Sequence, residues 1–380
     1  MSQARRILHF IDSSGLYGAE KVVLALSQEM KKSPVYEPVV GCIVHGTKEN
    51  VALYHAAREE GIEARKILIR RRLFPWDLAR LPGMLKRERI SVIHSHGYKP
   101  SVFGFVLSHL TGIPVMATCH LWYKNQRRPL KYRVMTGLEM FFYRFFKQMV
   151  AVSEPIREQL VAGGVAGGKI AVIPNGICRE WLSGGERPER VRLRGDRRFV
   201  ILNVARLTAQ KAQHRIVEAA EILKGWGRRI RFLLVGEGEA RSGLETAIRE
   251  KQLQEEVKLI GFHPEAAAMM ASAHLFVLPS MDEGLPISML EAMGSRLPVV
   301  ATPVGEIPKL VKHGRTGLLV ARDDAADLAG KIGWAMDHPA AMEKIADEAF
   351  ALVSRQYTSE AMFRAYAAIY ANFMRKEENR

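Results

Sequence analysis

Short runs of apolar, β-branched residues recur along the chain, and each precedes a longer segment in which apolar residues repeat with a helical period. In the first half the predicted strands are RILHFI (6–11), EPVVGCIV (37–44), KILI (66–69), SVIHSH (91–96), PVMATCH (114–120), MVAVS (149–153) and KIAVI (169–173). Strands that are apolar throughout and alternate with helices indicate a parallel sheet covered by helices on both faces.

A polar, basic, glycine-rich segment at 183–198, which contains Pro188, interrupts this alternation and is typical of a connection between domains. The pattern then restarts, with predicted strands FVILNVA (199–205), RFLLVGEG (231–238), VKLIGF (257–262), HLFVLPS (274–280), PVVATPVG (298–305) and GLLV (317–320). Three helices are predicted from about residue 325 to the end.

The pattern therefore predicts an α/β protein with two Rossmann-like parallel-sheet domains that face a central cleft. The predicted bounds are 1–180 for the first domain, 181–198 for the linker and 199–358 for the second domain. A C-terminal helix at 359–380 is expected to pack back toward the first domain. Clefts between domains are common ligand sites.

Composition supports a folded protein with an anionic partner. Of the 380 residues 48% are hydrophobic and 25% charged, and 56 Lys and Arg against 40 Asp and Glu give a net charge of +16. That excess favours a nucleic acid, a phosphorylated substrate or an acidic lipid. The three cysteines, Cys42, Cys119 and Cys178, are far apart, which indicates neither a disulfide framework nor a thiolate zinc site. They suit a cytoplasmic setting. The N-terminal apolar run is too short for a signal peptide, and no stretch suits a transmembrane helix.

The stretch PSMDEGLPISMLEAMG (279–294) carries two glutamates around a predicted helix that begins near Leu285, with Pro286 in its first turn. The N-terminus of such a helix binds anions. Glu283 and Glu291 are eight residues apart, roughly 12 Å along a helix, which is too far for a hydrolytic acid/base pair on one bond. They are placed to hold two ends of an elongated ligand whose anionic middle lies on the helix, as in a nucleotide-sugar. The alternative is a surface helix with two solvated glutamates.

Two cations follow the strand FVILNVA. Arg206 ends that strand and Lys211 comes five residues later, near the start of the next helix. Arg supplies a planar fork and Lys a point charge, a pair that suits a diphosphate. Two solvated surface cations are the alternative for this turn taken alone. Both elements lie at the same edge of the predicted sheet, which favours one shared ligand.

The sequence resembles the family 4 glycosyltransferases, which have the two-domain B-type glycosyltransferase (GT-B) fold. The similarity covers nearly the whole chain and is most specific from 173 to 320. It is carried by SGLYGAE (14–20), IPNGI (173–177), ARLTAQK (205–211), VGEG (235–238), EGLPISMLEAM (283–293), VGEIP (304–308) and GRTGLLV (314–320). Some positions depart from the family pattern: Tyr17 and Ala205 stand where relatives often have glycine, and Lys309 where many have glutamate.

The resemblance implies roles for the second half as a nucleotide-sugar donor domain. Arg206 and Lys211 would hold the donor diphosphate, Glu283 would contact the donor sugar, and Glu291 would bind the ribose hydroxyls. The family retains the anomeric configuration, and the resemblance implies neither a bound metal nor another cofactor. Further donor contacts are expected from the residues that lead into the helix, which are Gly284, Leu285, Pro286 and Ile287.

The first half is by resemblance the acceptor-binding domain. Gly15 and Gly18 join its first strand to its first helix and are expected to approach the donor phosphates; a plain tight turn is the alternative. His120 follows a strand and is a candidate catalytic residue that donates a hydrogen bond to the sugar or polarises the acceptor hydroxyl. His96 and Tyr98 are weaker acceptor-side candidates. Zinc at His94, His96 and His120 is disfavoured because no ligand count or supporting pattern closes the site.

Two basic segments explain part of the net charge. Residues 65–89 hold nine Lys and Arg, and residues 122–147 hold seven, interleaved with aromatic residues. In the second segment Leu138, Phe141, Phe142, Phe145, Phe146 and Met149 fall at helical spacing on one face. A core-facing helix with a basic edge explains most of that apolar pattern. The sharper interpretation is contact with an anionic membrane surface.

We therefore expect a metal-independent glycosyltransferase that moves a sugar from a nucleotide-diphospho-sugar to a membrane-associated glycan, such as a lipopolysaccharide core or a polyprenyl-linked saccharide. It is expected at the inner face of the cytoplasmic membrane. An epimerase or phosphorylase on the same fold is the enzymatic alternative. The non-enzymatic alternative is a basic protein that binds nucleic acid or acidic membrane, although no nucleic-acid-binding motif supports a nucleic-acid partner.

Overall fold

The computed structural model describes residues 4–13, 15–46, 49, 51–70, 74–120, 130–182, 198–263 and 266–378. The chain divides into two compact units. The N-terminal unit comprises Met1–Gly176 and Ser359–Arg380, and the C-terminal unit comprises Ile177–Thr358. Most of the predicted linker, residues 183–197, lies outside the described residues. The two units are α/β structures built on parallel sheets of seven and six strands, as the sequence predicts.

The N-terminal unit is built on a seven-stranded parallel sheet in the order β3-β2-β1-β4-β5-β6-β7. Its strands are β1 (Arg5–Ile11), β2 (Tyr36–Val44), β3 (Glu63–Leu68), β4 (Ile90–His96), β5 (Val115–Cys119), β6 (Gln148–Ala151) and β7 (Ile170–Val172). Its helices are α1 (Gly18–Lys31), α2 (Ala52–Glu59), α3 (Phe74–Arg87), α4 (Tyr98–Thr111), α5 (Leu130–Tyr143), α6 (Glu154–Ala162) and α14 (Ser359–Glu378).

The C-terminal helix α14 belongs to the N-terminal unit, where it packs along α1. The Ser359 hydroxyl donates a 2.9 Å hydrogen bond to Glu29 of α1. Farther along the helix, Tyr366 and Tyr370 are fully buried. Their hydroxyl groups form hydrogen bonds with Thr118 and His94 of the sheet. These buried polar contacts fix the rotation of the helix as well as its position.

The C-terminal unit is built on a six-stranded parallel sheet in the order β10-β9-β8-β11-β12-β13. Its strands are β8 (Phe199–Val204), β9 (Ile230–Val235), β10 (Val257–Gly261), β11 (Leu275–Leu278), β12 (Val299–Ala301) and β13 (Leu318–Leu319). Its helices are α7 (Gln213–Gly225), α8 (Arg241–Glu250), α9 (Ala266–Ser272), α10 (Ile287–Gly294), α11 (Ile307–Leu310), α12 (Ala325–Asp337) and α13 (Pro339–Gln356).

The strand order of each sheet reverses at one place. In the N-terminal unit the reversal lies between β1 and β4, and in the C-terminal unit it lies between β8 and β11. Connections leave these neighbouring strands toward opposite faces of the sheet, which opens a crevice at their carboxyl ends. The turns after β1, β4, β8 and β11 are therefore the places where the fold favours a ligand.

Two predicted features of the helices are wrong. The helix after β11 begins at Ile287, with Pro286 as its N-cap, two residues later than expected. The apolar residues between 138 and 149 do not share one face, because α5 ends at Tyr143. Phe146 and Met149 are fully buried, whereas Leu138, Phe141 and Phe145 are 42%, 50% and 54% exposed.

No helix among the described residues is long and apolar enough to cross a membrane.

Candidate functional site

The turn after β8 and the turn after β11 lie at the strand-order reversal of the C-terminal unit. The first carries Arg206 and Lys211, and the second carries Glu283. Because β8 and β11 are hydrogen-bonded neighbours, their turns emerge side by side at the carboxyl edge of the sheet. The topology thus brings three of the predicted donor-site residues to the place where α/β folds bind ligands.

A close backbone approach holds the turn after β8 against the loop after β9. A Cβ atom at Gly236, where φ is +144°, would lie 2.0 Å from the Ala205 carbonyl oxygen, so only glycine fits. The Leu207 N–H donates a 3.0 Å hydrogen bond to the Glu237 carbonyl. The glycines of VGEG therefore serve packing between loops, which is a structural reason for that motif.

On its other side the turn after β8 is tied to the turn after β11. The Met281 N–H donates to the Gln210 carbonyl at 2.8 Å, and the Gln210 side-chain amide donates to the Asp282 carbonyl at 2.7 Å. These two hydrogen bonds run in opposite directions between the same pair of turns. They fix the separation of the two turns and hence the position of the charged side chains that the turns carry.

Lys211 and Glu283 form an ion pair across these turns, with 2.5 Å between Nζ and Oε1. The side chains are 14% and 4% exposed, so both charges are largely removed from water. A buried pair of this kind neutralises two charges that would each be costly alone. The predicted phosphate-binding cation and the predicted sugar-binding carboxylate thus contact each other directly.

Arg206 differs from Lys211 in that its side chain is exposed. Its carbonyl accepts a 2.8 Å hydrogen bond from the Gln213 side chain at the start of α7. The backbone of the turn is thereby anchored while the guanidinium reaches solvent. An exposed guanidinium on an anchored backbone suits the binding of an anion from solvent.

Glu291 lies within α10 and is 1% exposed. Because the helix begins only at Ile287, half of the interval from Glu283 to Glu291 is turn, and the distance expected for a continuous helix does not apply. Leu285 and Ile287 are 4% and 7% exposed, so their side chains belong to the protein interior.

Another acidic residue, Glu306, lies beside this turn and was not predicted as part of the site. Its N–H donates a 3.0 Å hydrogen bond to the Gly284 carbonyl, and its carboxylate pairs with Lys309 at 2.8 Å. The preceding Gly305 has φ +56°, and a Cβ atom there would lie 2.0 Å from the Glu283 carbonyl oxygen. Lys309 stands where many members of the family have glutamate. This change from an acidic to a basic residue is the sequence feature that could have indicated its pair with Glu306.

In the N-terminal unit, Gly15 and Gly18 flank the N-terminus of α1, which begins at Gly18. The carboxylate of Glu20 accepts a 3.2 Å hydrogen bond from the Tyr17 N–H, so the helix supplies part of its own cap. Two of the predicted donor-site glycines are therefore adjacent to a helix end that already carries a carboxylate. Tyr98 is the first residue of α4, directly after β4.

Histidines in or directly after the neighbouring strands β1, β4 and β5 form a buried cluster in the N-terminal unit. The His96 ring contacts His9 through Nε2 at 3.2 Å and His120 through Nδ1 at 3.0 Å. His96 is 3% exposed, and both of its ring nitrogens are used within the protein. Its predicted role on the acceptor side stays a prediction. His120 remains at the end of β5, where the prediction placed it.

His9 is a member of this cluster that the sequence interpretation missed. It lies in β1 and is fully buried, and burial lowers its pKa to about 3. A histidine inside the otherwise apolar run RILHFI was the signal that could have identified it. Burial also lowers the pKa of His120 to about 4, so both rings are neutral near pH 7.

A second missed group is charged and lies at the strand-order reversal of the N-terminal unit. Asp12, directly after β1, pairs with Lys99 of α4 at 2.6 Å. The Lys99 ammonium donates a 3.0 Å hydrogen bond to His45 Nε2, since His45 Nδ1–H donates to the Ile69 carbonyl. Asp12 and Lys99 are 87 positions apart in the chain, so the local sequence pattern could not predict that they form a pair.

Two family models match the two halves of the chain. The model described as Glycosyltransferase Family 4 matches residues 17–181, and the model described as Glycosyl transferases group 1 matches residues 186–351. The chain belongs to the family 4 glycosyltransferases. It is therefore a glycosyltransferase enzyme with the GT-B fold that the sequence predicts.

Individual relatives agree with this assignment. WcaL of Salmonella typhimurium, which is named as a colanic acid biosynthesis glycosyltransferase, is 34% identical over 44% of either chain. The UDP-Gal:alpha-D-GlcNAc-diphosphoundecaprenol alpha-1,3-galactosyltransferase of Escherichia coli is 27% identical over 65% of this chain and 66% of its own. Both matches thus span less than two thirds of the relative.

The fold has close solved counterparts. The structure of Alr3699/HepE from Anabaena in complex with UDP-glucose has a TM-score of 0.84, covers 97% of this glycosyltransferase and 99% of its own chain, and is 20% identical. At that identity the likeness establishes the shared fold.

The ion pair generates a stability prediction. Lys211→Ala should lower the free energy of unfolding of the glycosyltransferase by about 3 kcal/mol, because the Glu283 carboxylate stays buried without its partner. The measurement is urea denaturation followed by fluorescence. Lys331→Ala is the matched control, since Lys331 forms a partly exposed pair with Asp327 at 3.7 Å. That control should change the value by less than about 0.5 kcal/mol.

The double substitution Lys211→Met with Glu283→Leu should be more stable than Lys211→Ala, because neither charge is then buried. Equal stability of Lys211→Ala and the control would show that the pair is not formed in solution.

Proposed function

We propose that this glycosyltransferase takes its sugar from a nucleotide-diphospho-sugar that binds at the carboxyl edge of the C-terminal sheet. The observation that carries the proposal is the Lys211–Glu283 pair beside Arg206 at the strand-order reversal. It combines two cations for a diphosphate with a carboxylate for sugar hydroxyls, held by turns that are hydrogen-bonded to each other. The complex of Alr3699/HepE with UDP-glucose supports the same ligand class.

Each residue has a distinct role in this proposal. The donor diphosphate competes with Glu283 for the Lys211 ammonium, and hydroxyl groups of the sugar become the new partners of the Glu283 carboxylate. Arg206 supplies a second, exposed cation for the phosphates. The backbone from Gly284 to Ile287 leads to the N-terminus of α10, whose dipole favours negative charge, and Glu291 binds the ribose hydroxyls.

The reaction that we propose retains the configuration at the anomeric carbon. The bond from that carbon to the phosphate oxygen breaks, and the acceptor oxygen bonds to the same face of the sugar. The hydroxyl proton passes to the departing phosphate oxygen, so that no protein nucleophile is needed. Lys211, Arg206 and the α10 dipole stabilise the growing charge of the leaving diphosphate, work that a metal ion does in other enzymes. We propose that no metal or other cofactor takes part.

The acceptor in this proposal is a lipid-linked glycan bound by the N-terminal unit. The E. coli galactosyltransferase, whose name gives a diphosphoundecaprenol-linked acceptor, supports this class. Tyr98 lies at the carboxyl edge of the N-terminal sheet, where an acceptor would approach. The competing functions of epimerase, phosphorylase and nucleic-acid binding gain no support from WcaL or from the E. coli galactosyltransferase, whose names give glycosyl transfer.

An apolar and basic surface would bring this unit to the lipid, at the inner face of the cytoplasmic membrane. Phe141 and Phe145 project at the end of α5, and Leu110 at the end of α4 is 59% exposed. The Phe105 ring of α4 lies 6.0 Å from the Phe145 ring, so the patch spans both helices. Arg144 and Lys147 are exposed around it. Aromatic residues bordered by cations are typical of a surface that binds anionic lipid.

Parts of the predicted membrane segments lie outside the described residues. These are 71–73 in the segment 65–89 and 122–129 in the segment 122–147. The second range includes Arg127 and Arg128.

The donor proposal predicts selective stabilisation by nucleotides. One of UDP, GDP and ADP should raise the melting temperature of the protein, because it binds only the folded state. Arg206→Ala and Glu291→Ala should each remove most of that shift, as measured by differential scanning fluorimetry. Arg249→Ala, which also removes an exposed arginine of the C-terminal unit, should keep it. Binding to duplex DNA with a steep salt dependence and without any nucleotide effect would contradict the proposal.

The membrane proposal predicts weaker lipid binding for Phe141→Ser with Phe145→Ser. Loss of two half-exposed rings should reduce partition onto phosphatidylglycerol vesicles about tenfold or more, measured by flotation. Replacement of Arg127, Arg128 and Lys131 by Glu should also reduce it. The matched control is Trp226→Ser, which removes a ring that is 54% exposed in the C-terminal unit. If the double serine variant and the triple glutamate variant both bound anionic vesicles as the unchanged protein does, this surface assignment would be contradicted.

A further inference from the structure

An ion pair lies at the strand-order reversal of each sheet. In the C-terminal unit Lys211 follows β8 and Glu283 follows β11. In the N-terminal unit Asp12 follows β1, and Lys99 lies at the start of α4, which follows β4. Strands β1 and β4 hold the same places in their sheet order as β8 and β11. The N-terminal pair therefore lies where an α/β sheet binds ligands, with the positions of the cation and the carboxylate exchanged.

The N-terminal pair is held by turns that follow three neighbouring strands. The Lys99 ammonium lies 2.6 Å from Asp12 Oδ2 and donates a 3.0 Å hydrogen bond to His45 Nε2. His45 directly follows β2, and its Nδ1–H donates to the Ile69 carbonyl at 2.8 Å, which leaves Nε2 as an acceptor. Two acceptors from different turns thus fix the position of the ammonium.

Part of the bonding capacity of the pair is unused. An ammonium group has three N–H donors, and Lys99 uses two of them on Asp12 and His45. The second carboxylate oxygen, Asp12 Oδ1, lies 3.9 Å from His45 Nε2, which is too long for a hydrogen bond. It has no other partner among the described residues. One N–H donor and one carboxylate acceptor of the same ion pair therefore remain open.

The pair can be reached from solvent. Its Lys99 and Asp12 side chains are 37% and 28% exposed, whereas the two side chains of the C-terminal pair are 14% and 4% exposed. Gly97, the N-cap of α4, has φ +89° and ψ 176°, a conformation that only glycine adopts readily. A Cβ atom there would have no atom of the described residues within 4 Å. Backbone conformation and not packing therefore requires this glycine, and the sheet edge beside Lys99 is open.

The charge of the pair determines which ligand fits, because Asp12 and Lys99 together carry no net charge. A phosphate group offers acceptor oxygens only, so it could use the open N–H of Lys99 but would be repelled by the Asp12 carboxylate. A hydroxyl group both donates and accepts. Neighbouring hydroxyl groups of a sugar can accept from Lys99 and donate to Asp12 together, without separating the two charges.

We propose that Asp12 and Lys99 bind neighbouring hydroxyl groups of an uncharged sugar residue of the acceptor glycan. His45 is a positioning residue that acts by fixing the Lys99 ammonium. The inference rests on the proposed function, which supplies a glycan acceptor for the N-terminal unit. It adds the residues that hold the acceptor and the class of sugar that they hold, and it places the diphosphate of a lipid-linked acceptor away from this pair.

A purely structural ion pair is the competing interpretation. The start of α4 is already fixed by other contacts, since the Ser95 hydroxyl donates to the Pro100 carbonyl at 3.0 Å and the Ser101 hydroxyl donates to the Gly97 carbonyl at 2.8 Å. Both serines are fully buried. Partly exposed ion pairs add little to stability beyond such contacts, which favours a ligand-binding role for this one.

The test is saturation-transfer difference NMR of the intact protein with a panel of neutral methyl α-glycosides, those of glucose, galactose, mannose, N-acetylglucosamine and rhamnose. At least one should bind. Asp12→Asn and Lys99→Met should each raise its Kd about tenfold, because each removes a hydrogen bond to a charged group. Both variants should keep the melting temperature and the affinity of the unchanged protein for inorganic pyrophosphate.

Arg65→Met is the matched control. It breaks the Arg65–Glu63 pair of β3, which is 2.6 Å long and whose side chains are 46% and 31% exposed, away from the carboxyl edge of β1 and β4. This variant should bind the glycoside as the unchanged protein does. The proposal is overturned if no glycoside binds, if both variants of the pair bind it unchanged, or if Lys99→Met weakens pyrophosphate binding instead. Equal loss of glycoside binding in Arg65→Met would also overturn it.

Two substitutions of His45 separate positioning from a structural role. His45→Leu leaves Lys99 without its second acceptor and should weaken glycoside binding. His45→Gln, whose side-chain carbonyl can accept from the ammonium, should restore it. Loss of binding in both variants, or in neither, would contradict the positioning role.

Failure of the proposed function is distinguishable from failure of this inference. The first would appear as the absence of any nucleotide-induced thermal shift in the unchanged protein. The second would appear as a normal nucleotide shift without glycoside binding that depends on Asp12 and Lys99.

Discussion

The ion pair between Lys211 and Glu283 is the constraint on which the C-terminal unit depends. Both side chains are nearly buried at the place where the fold opens a crevice, and each charge is tolerable there only because the other neutralises it. The surrounding turns are arranged to keep the two charges together, through paired hydrogen bonds and through glycines that accept very close backbone contact. In the proposed function, a diphosphate and a sugar hydroxyl replace the two partners without leaving either charge alone.

The carboxyl edge of the N-terminal unit is built differently. Its buried histidines contact one another through their ring nitrogens, and α14 closes the cluster through two buried tyrosines, Tyr366 and Tyr370. A separate ion pair between Asp12 and Lys99 lies at the strand-order reversal of the same sheet.

Much of the fold could be predicted because local pattern and fold agree. Apolar β-branched runs identified the strands, and the positions of Arg206, Lys211 and Glu283 after particular strands placed them at one sheet edge. The features that the sequence did not predict are those that depend on contacts between distant segments of the chain. The start of α10 depends on how the turn after β11 packs, and the Lys211–Glu283 contact depends on two turns that are 72 residues apart. His9 was missed because its contact with His96 can be expected only once β1 and β4 are known to be neighbouring strands. The order of the strands in each sheet, which the local sequence pattern does not specify, brings these distant segments together.

The most direct test of the central claim is a crystal structure of the protein with the diphosphonucleoside that stabilises it. The account predicts phosphate oxygens within hydrogen-bond distance of Arg206 and Lys211, the ribose hydroxyls on Glu291, and a Lys211–Glu283 separation longer than 2.5 Å. A nucleotide bound away from the turns after β8 and β11, with the ion pair intact, would contradict it.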